Sequence, residues 1–365
     1  MAETPSFQVV QLTPPGRGAV ATILVEGPGA VDAVGRQFRS KSGRPLESFD
    51  CDRLVFGRFG PRPGEEVVTR RCRTGSVELH CHGGSAAAAM IERTMAAAGG
   101  RAVEWQDWVA DRYQDPIAAA AYLALAEAPT ERTAAILLDQ YHGALQRGLD
   151  EIGRALGNND AAAARKLADV LLARYAIGRH LVRPWRVVLA GRPNVGKSSL
   201  INALVGYPRV IVHHAAGTTR DVVTVQTALD GWPIELCDTA GLHQRGNAEE
   251  QAGVKLARQK LAAAELVILV FDAGQQWSAA DRALVRSWPQ ALVVHNKSDL
   301  PSGGGSRAAG LATSALRGEG IEALQRAVVD RLVPQPPPPG AAVPFTAEQV
   351  EQIARRAGVV PKREP

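Results

Sequence analysis

The chain has 365 residues, a formal charge of +5, 45% hydrophobic and 5% aromatic content, and four cysteines. That length gives room for two or three domains. The composition excludes a disulfide framework and a membrane-spanning helix, since no run of 18 or more apolar residues occurs. The first 30 residues lack the basic-then-apolar layout of a signal peptide, so a cytoplasmic protein is expected. Of 42 basic residues 35 are Arg, but no concentrated basic run exists, so charge by itself is weak support for a nucleic-acid partner.

Residues 1–105 read as short strands with Gly/Pro turns. Segments 7–12 and 19–25 flank a Pro-Pro-Gly-Arg-Gly turn, and 30–38 and 85–98 have helical patterning. Cys72, His80, Cys81 and His82 lie close together, yet their spacing fits no standard zinc site. Strand alternation sends Cys81 to the face opposite its histidine neighbours.

Residues 106–183 are expected to form the first part of a helical domain, and 115–182 are Ala-rich and helical. Leu137, Tyr141, Leu145, Leu149, Ile152 and Leu156 form one apolar stripe, broken at Gly157-Asn-Asn-Asp160. Leu167, Val170, Leu171, Ile177 and Leu181 form a second.

From 184 to 333 five short motifs follow in fixed order. Segment Trp185–Ala190 reads as a buried strand, and Gly191-Arg192-Pro193-Asn194-Val195-Gly196-Lys197-Ser198 follows it at once, with Ser199 continuing into a helix. This strand–loop–helix context is what a phosphate-binding loop needs: main-chain N–H groups and a helix N-terminus turned on an anion. Lys197 is expected on the β- and γ-phosphates and Ser198 on Mg²⁺. Gly217-Thr218-Thr219 lies in the next loop, with Thr219 the better candidate to complete the Mg²⁺ shell. Asp238, of Asp238-Thr239-Ala240-Gly241, ends a strand and is expected to hold Mg²⁺ through its water shell. The Gly241 N–H is placed to sense the γ-phosphate. Asn296-Lys297-Ser298-Asp299 follows another strand about 100 residues beyond the phosphate loop. The Asp299 carboxylate can accept from guanine N1–H and the N2 amine, whereas adenine would leave it unpaired. Asn296 and Lys297 brace the loop, and Ser314-Ala315 supplies a main-chain donor toward the guanine carbonyl. Together these predict a GTP/GDP pocket on an α/β, mostly parallel sheet.

The position after Asp-x-x-Gly, where many small GTPases carry a water-orienting Gln, is Leu242. Glu249 and Glu250 lie in the same segment; on composition alone they read as a solvated acidic helix start. The Asn194 side-chain oxygen could help hold a monovalent cation against the phosphates. Residues 334–344 read as a semi-rigid Pro-rich linker. In 345–365, Thr346 with Gln349 makes a capping box and Gly358 a helix stop. That short helix needs a partner face, which the 106–183 stripes offer. The G domain would then be inserted in a helical domain.

Ala216-Gly-Thr-Thr-Arg-Asp221, Asn194 in the phosphate loop and Asp-Thr-Ala-Gly-Leu242 resemble the bacterial tRNA-modification GTPases of the MnmE (TrmE) type. So do Leu12-Thr-Pro-Pro-Gly-Arg-Gly-Ala-Val20, Val25-Glu-Gly-Pro28 and Val77-Glu-Leu-His-Cys-His-Gly-Gly84. The resemblance implies a small α+β N-terminal domain that mediates homodimer formation and binds a formyl-tetrahydrofolate, with Arg17 the candidate contact. It implies a potassium ion on Asn194 and on backbone oxygens around 213–218, doing the work of an arginine finger. It implies Glu250 as the water-orienting residue, so that Glu250, Lys197, Gly241 and Thr219 form the catalytic set. It further implies a flavin-dependent partner protein and tRNA wobble uridine as the site of chemistry, with no membrane association. The chain departs from the family in its C-terminal helical part. Here that part is about 30 residues with no Cys-x-Gly-Lys, and His213 replaces a small polar residue. The alternative is a GTP-driven switch of the same family without the tRNA step.

Overall fold

The computed structural model describes residues 7–14, 16, 18–206, 224–238 and 263–359. The chain divides into two compact units, residues 1–119 and 120–365. Among the described residues no helix is long and apolar enough to cross a membrane.

The first unit contains β1 (Phe7–Gln11), β2 (Val20–Glu26), α1 (Ala30–Gln37), β3 (Phe38–Ser40), β4 (Leu54–Phe59), β5 (Glu65–Arg71), β6 (Val77–His82), α2 (Ser85–Ala97), β7 (Gly100–Val103) and α3 (Trp105–Arg112). Its strands form one sheet in the order β3-β4-β5-β6-β2-β1-β7, antiparallel except for the β1–β7 pair. Alternation sorts the faces: Val55, Val67, Leu79, Cys81 and Ile23 point into the core beneath α1 and α2. His80 and His82 take the other face, where His80 Nδ1 bonds Thr22 at 3.0 Å and His82 Nδ1 meets Glu65 at 2.5 Å. The unit runs past the boundary expected at residue 105. The α3 helix packs on β1, and its Trp108 indole donates to Glu26 of β2.

Helix α4 (Pro116–Glu127) crosses the junction. The second unit continues with α5 (Glu131–Tyr141), α6 (Ala144–Gly157), α7 (Ala161–Gly178), β8 (Trp185–Ala190), α8 (Lys197–Val205), β9 (Thr224–Leu229), β10 (Trp232–Asp238), β11 (Leu266–Asp272), α9 (Ala279–Ser287), β12 (Leu292–Asn296), β13 (Leu311–Ala312), α10 (Ile321–Leu332) and α11 (Ala347–Ala357). The single stripe expected over 137–156 is two helices. Gly143, at φ 84°, breaks the chain between α5 and α6 and starts the second in a new direction.

The six-stranded sheet has the order β13-β12-β11-β8-β10-β9. All neighbours are parallel except β9–β10, joined by the Asp230-Gly231 turn. Central strands covered on both faces need continuous apolar runs, and Leu266–Phe271 is buried throughout. Parallel strands bring their C-terminal ends to one edge. That edge collects Ala190, Asp238, Asp272 and Asn296, and ligands of open α/β sheets bind there.

The Pro-rich segment is not a free spacer over its last residues. Gly340 N–H donates to Asp139 at 2.8 Å, and Gln140 clamps the segment with an N–H to Ala341 O and a carbonyl accepting from Val343 N, both 3.0 Å. Val343 is fully buried, and burying such a side chain contributes roughly 1.5–3 kcal/mol. Segment 340–344 thereby delivers α11 onto α6 and α7. Thr346 and Gln349 form the capping box, and Gly358 ends the helix in a left-handed conformation.

Candidate nucleotide site

The phosphate loop, residues 191–198, leaves the buried end of β8 and enters α8. Gly196 is the N-cap at φ 92°, and a Cβ there would stand 2.3 Å from the Asn296 amide nitrogen. Only glycine permits that approach. The loop therefore lies directly on the end of β12. Asn296 Nδ2 donates to Val195 O at 3.0 Å. Its Oδ1 accepts from Ala315 N at 3.1 Å and from Thr313 Oγ1 at 3.3 Å. One buried amide thus ties the phosphate loop, the Asn-Lys-x-Asp loop and the Ser314-Ala315 turn together. The Ala315 N–H, expected to face a guanine carbonyl, is directed at Asn296 in this conformation.

Lys197 is buried, and its ammonium donates to the carbonyls of Gly191 at 3.0 Å and Arg192 at 2.9 Å. Burial pushes its pKa below the usual lysine value, with Asp238 opposing the shift. A charge so placed, with a carboxylate nearby, is ready for phosphate oxygens. Ser198 Oγ donates to Asp238 Oδ2 at 2.5 Å, so the two side chains expected to share Mg²⁺ already converge. Ser199 is exposed in the first turn of α8.

At the base end, Ser298 N bonds Thr313 O at 3.0 Å and fixes the loop. The Ser314 hydroxyl, with a smaller contribution from Arg317, holds the Asp299 carboxyl below its ordinary pKa. Asp299 is therefore an acceptor at neutral pH, as guanine's two donors require. Lys297, at φ 62°, extends to the Asn194 carbonyl at 2.7 Å and to Asp272 Oδ2 at 2.8 Å. Asp272 went unread in the sequence. The only signal was an acidic residue ending an otherwise apolar strand.

Gly217, Thr218, Thr219, Gly241, Leu242 and Glu250, with the loop around 213–218, lie outside the described residues, as does Arg17. The structure brings together Asn194, Val195, Gly196, Lys197, Ser198, Asp238, Asn296, Lys297, Asp299, Ser314 and Ala315.

A mostly parallel sheet with a phosphate loop after its central strand and a guanine-reading loop two strands away defines a P-loop GTPase. The chain matches the family model described as "50S ribosome-binding GTPase" over residues 186–297. It is 33% identical over 359 residues to the tRNA modification GTPase MnmE of Parasynechococcus marenigrum, covering 87% of this chain and 79% of that protein. The MnmE of Prochlorococcus marinus is 34% identical over 86% of this chain and 78% of its own length. That of Geobacillus kaustophilus is 30% identical over 87% and 80%. The chain belongs to the MnmE tRNA modification GTPase family, and it binds GTP and hydrolyses it to GDP and phosphate.

Proposed function

We propose that the chain is a Mg²⁺-dependent, K⁺-stimulated GTPase whose cycle serves the modification of tRNA wobble uridine, as a cytoplasmic homodimer working with a flavin-dependent partner. The observation that carries the GTPase chemistry is the convergence of Ser198, Asp238 and Lys197 beneath the N-terminus of α8. Family membership supports the tRNA step.

The donor set fits Mg²⁺, a hard cation that takes oxygen ligands. Ser198 Oγ would bind it directly, Asp238 through water, and Thr219 would complete the shell; when bound it would supply positive charge against the phosphates. Asn194, exposed at the tip of the loop, offers an amide oxygen for K⁺. The chain's own groups then do the following. Main-chain N–H groups of 194–198 and the helix terminus bind the β- and γ-phosphates. Lys197 follows the charge that moves toward the β–γ bridging oxygen as that bond breaks. Glu250 orients the attacking water, whose oxygen forms the new bond to phosphorus, and Gly241 N–H senses the γ-phosphate. Asp299 selects guanine.

The G domain, 184–333, is proposed as an insertion in a helical domain formed by 106–183 and 345–365; the packing of α11 on α6 and α7 supports that arrangement. A formyl-tetrahydrofolate would need cations for its carboxylate tail. A cavity of about 690 Å³ in the first unit presents Arg101 against Glu92, Glu104, Asp107 and Asp111, which does not suit such an anion. The folate reading rests on the family resemblance of the N-terminal segments, with Arg17 as its candidate contact.

Deleting the gene and measuring wobble nucleosides by mass spectrometry tests the tRNA step. Loss of the aminomethyl-type modification is expected, and an unaltered profile would remove it.

A further inference from the structure

We propose that Asp272 is a positioning residue for guanine-nucleotide binding, acting through Lys297 on the phosphate loop. It rests on the GTPase reading and adds to it a residue outside all five sequence motifs.

Asp272 is the last residue of β11, directly opposite Asn296 in the parallel ladder. Its side chain is 10% exposed, and both oxygens are used. Oδ1 accepts from Gly274 N at 2.8 Å, which fixes the carboxylate plane. Oδ2 accepts from Lys297 Nζ at 2.8 Å. The same ammonium donates to the Asn194 carbonyl at 2.7 Å. A lysine has a long flexible stem and a strongly hydrated head, so an ammonium offered only a carbonyl would spend much of its time in water. A fixed, largely buried carboxylate on its other side holds it in place.

The target of that ammonium is a demanding one. Asn194 stands at φ 63°, a left-handed conformation that few residues other than glycine adopt and that asparagine tolerates better than most. The Lys297 bond to its carbonyl favours the peptide orientation in which the following N–H groups face the phosphates. The connection after β11 grips the other end of the loop as well: Arg192 pairs with Asp281 at 3.1 Å and donates to Ser278. The path Asp272–Lys297–Asn194 is therefore one arm of a two-armed clamp.

The test uses the full chain and GDP as probe, with dissociation constants from calorimetry and off-rates from stopped flow. Asp272→Asn should weaken GDP binding about tenfold or more, as expected when a charge-assisted hydrogen bond is lost, mainly through faster release. Lys297→Met should cost at least as much. The double variant should bind no more weakly than Lys297→Met alone, because the carboxylate then has nothing to act through. The ratio of GDP to IDP affinity should be unchanged in Asp272→Asn, since Asp299 still reads the N2 amine. GDP binding by Asp272→Asn within twofold of the unmodified protein would overturn the proposal. So would two losses that simply multiply in the double variant. If Asp272→Asn melts early, Asp272→Ser keeps a hydroxyl to cap Gly274 without the charge. The same non-additivity must then appear with it, and its absence would make the role merely structural. Failure of the unmodified protein to bind GDP would overturn the GTPase reading itself.

Discussion

Lys297 donates to the main-chain carbonyl of Asn194 at 2.7 Å, joining residues 103 positions apart in the chain. With Asn296 bonded to Val195 beside it, the loop that reads the base is tied to the loop that grips the phosphates by two hydrogen bonds. The geometry of the phosphate loop therefore depends on two side chains of the base-end loop, while the choice of base is left to Asp299.

Asp299→Asn exchanges an acceptor pair for one acceptor and one donor. Guanine then faces a mismatched donor, whereas xanthine, with a carbonyl in place of the N2 amine, finds a partner. Affinity for GDP should fall by about two orders of magnitude or more while XDP affinity rises. Competition binding measures both, and retained GDP preference would contradict the assigned role.

Hydrolysis should be faster in potassium than in sodium at equal ionic strength, and Asn194→Ala should abolish most of that difference. Steady-state phosphate release in the two salts reports it. Equal rates in both salts for the unmodified protein would remove the cation from the mechanism.

Glu250→Ala should retain GTP affinity and lose turnover by about 10² or more, the usual contribution of a residue managing the attacking water. Single-turnover hydrolysis with saturating GTP is the measurement. Turnover at the unmodified rate would leave the water without this residue.

Gly178→Ala tests the docking of the C-terminal segment. A Cβ there would stand 1.8 Å from the Pro344 carbonyl oxygen, so the segment must move. A loss of about 1–3 kcal/mol is expected from such overpacking, read as a lowered Tm. Guanine preference should be untouched, since the segment lies on the helices rather than on the sheet edge.

Glu265 immediately precedes β11 and ties it to β8 and to the turn after α7. Its Oε1 meets His180 Nε2 at 3.0 Å and its Oε2 accepts from Arg186 N at 2.6 Å. Burial would raise its pKa; the His180 and Arg186 bonds, with Arg179, outweigh that and lower it below 4.5. A depressed carboxyl stabilises the fold above its unfolded value, and that contribution disappears as pH falls through the folded value. Melting temperature should therefore decline below about pH 4.5, and Glu265→Gln should flatten the decline. An unchanged slope would show that another group controls it.

Much of the nucleotide site was legible because its information is local. A phosphate loop needs glycines at fixed offsets between an apolar strand and a helix, and residues 191–198 carry them in eight consecutive positions. Asp238 and Asn296 each end a strand, and parallel pairing sends such ends to one edge, so their convergence followed from the motif order. The capping box at Thr346 was legible for the same reason. The break at Gly143 was not, because an apolar stripe of unchanged spacing continues across it.

The sequence by itself determined which ligand chemistry this chain carries: Lys197, Ser198 and Asp238 for phosphate and metal, Asp299 for guanine. Only the tertiary structure decided what holds those groups in position. Asp272 found Lys297, Gln140 found Val343 and Gly178 found Pro344 across separations that periodicity cannot span. A hydrogen-bond motif is written in neighbouring residues, whereas the partner of a buried polar group is set by which distant elements the packed core brings within 3 Å.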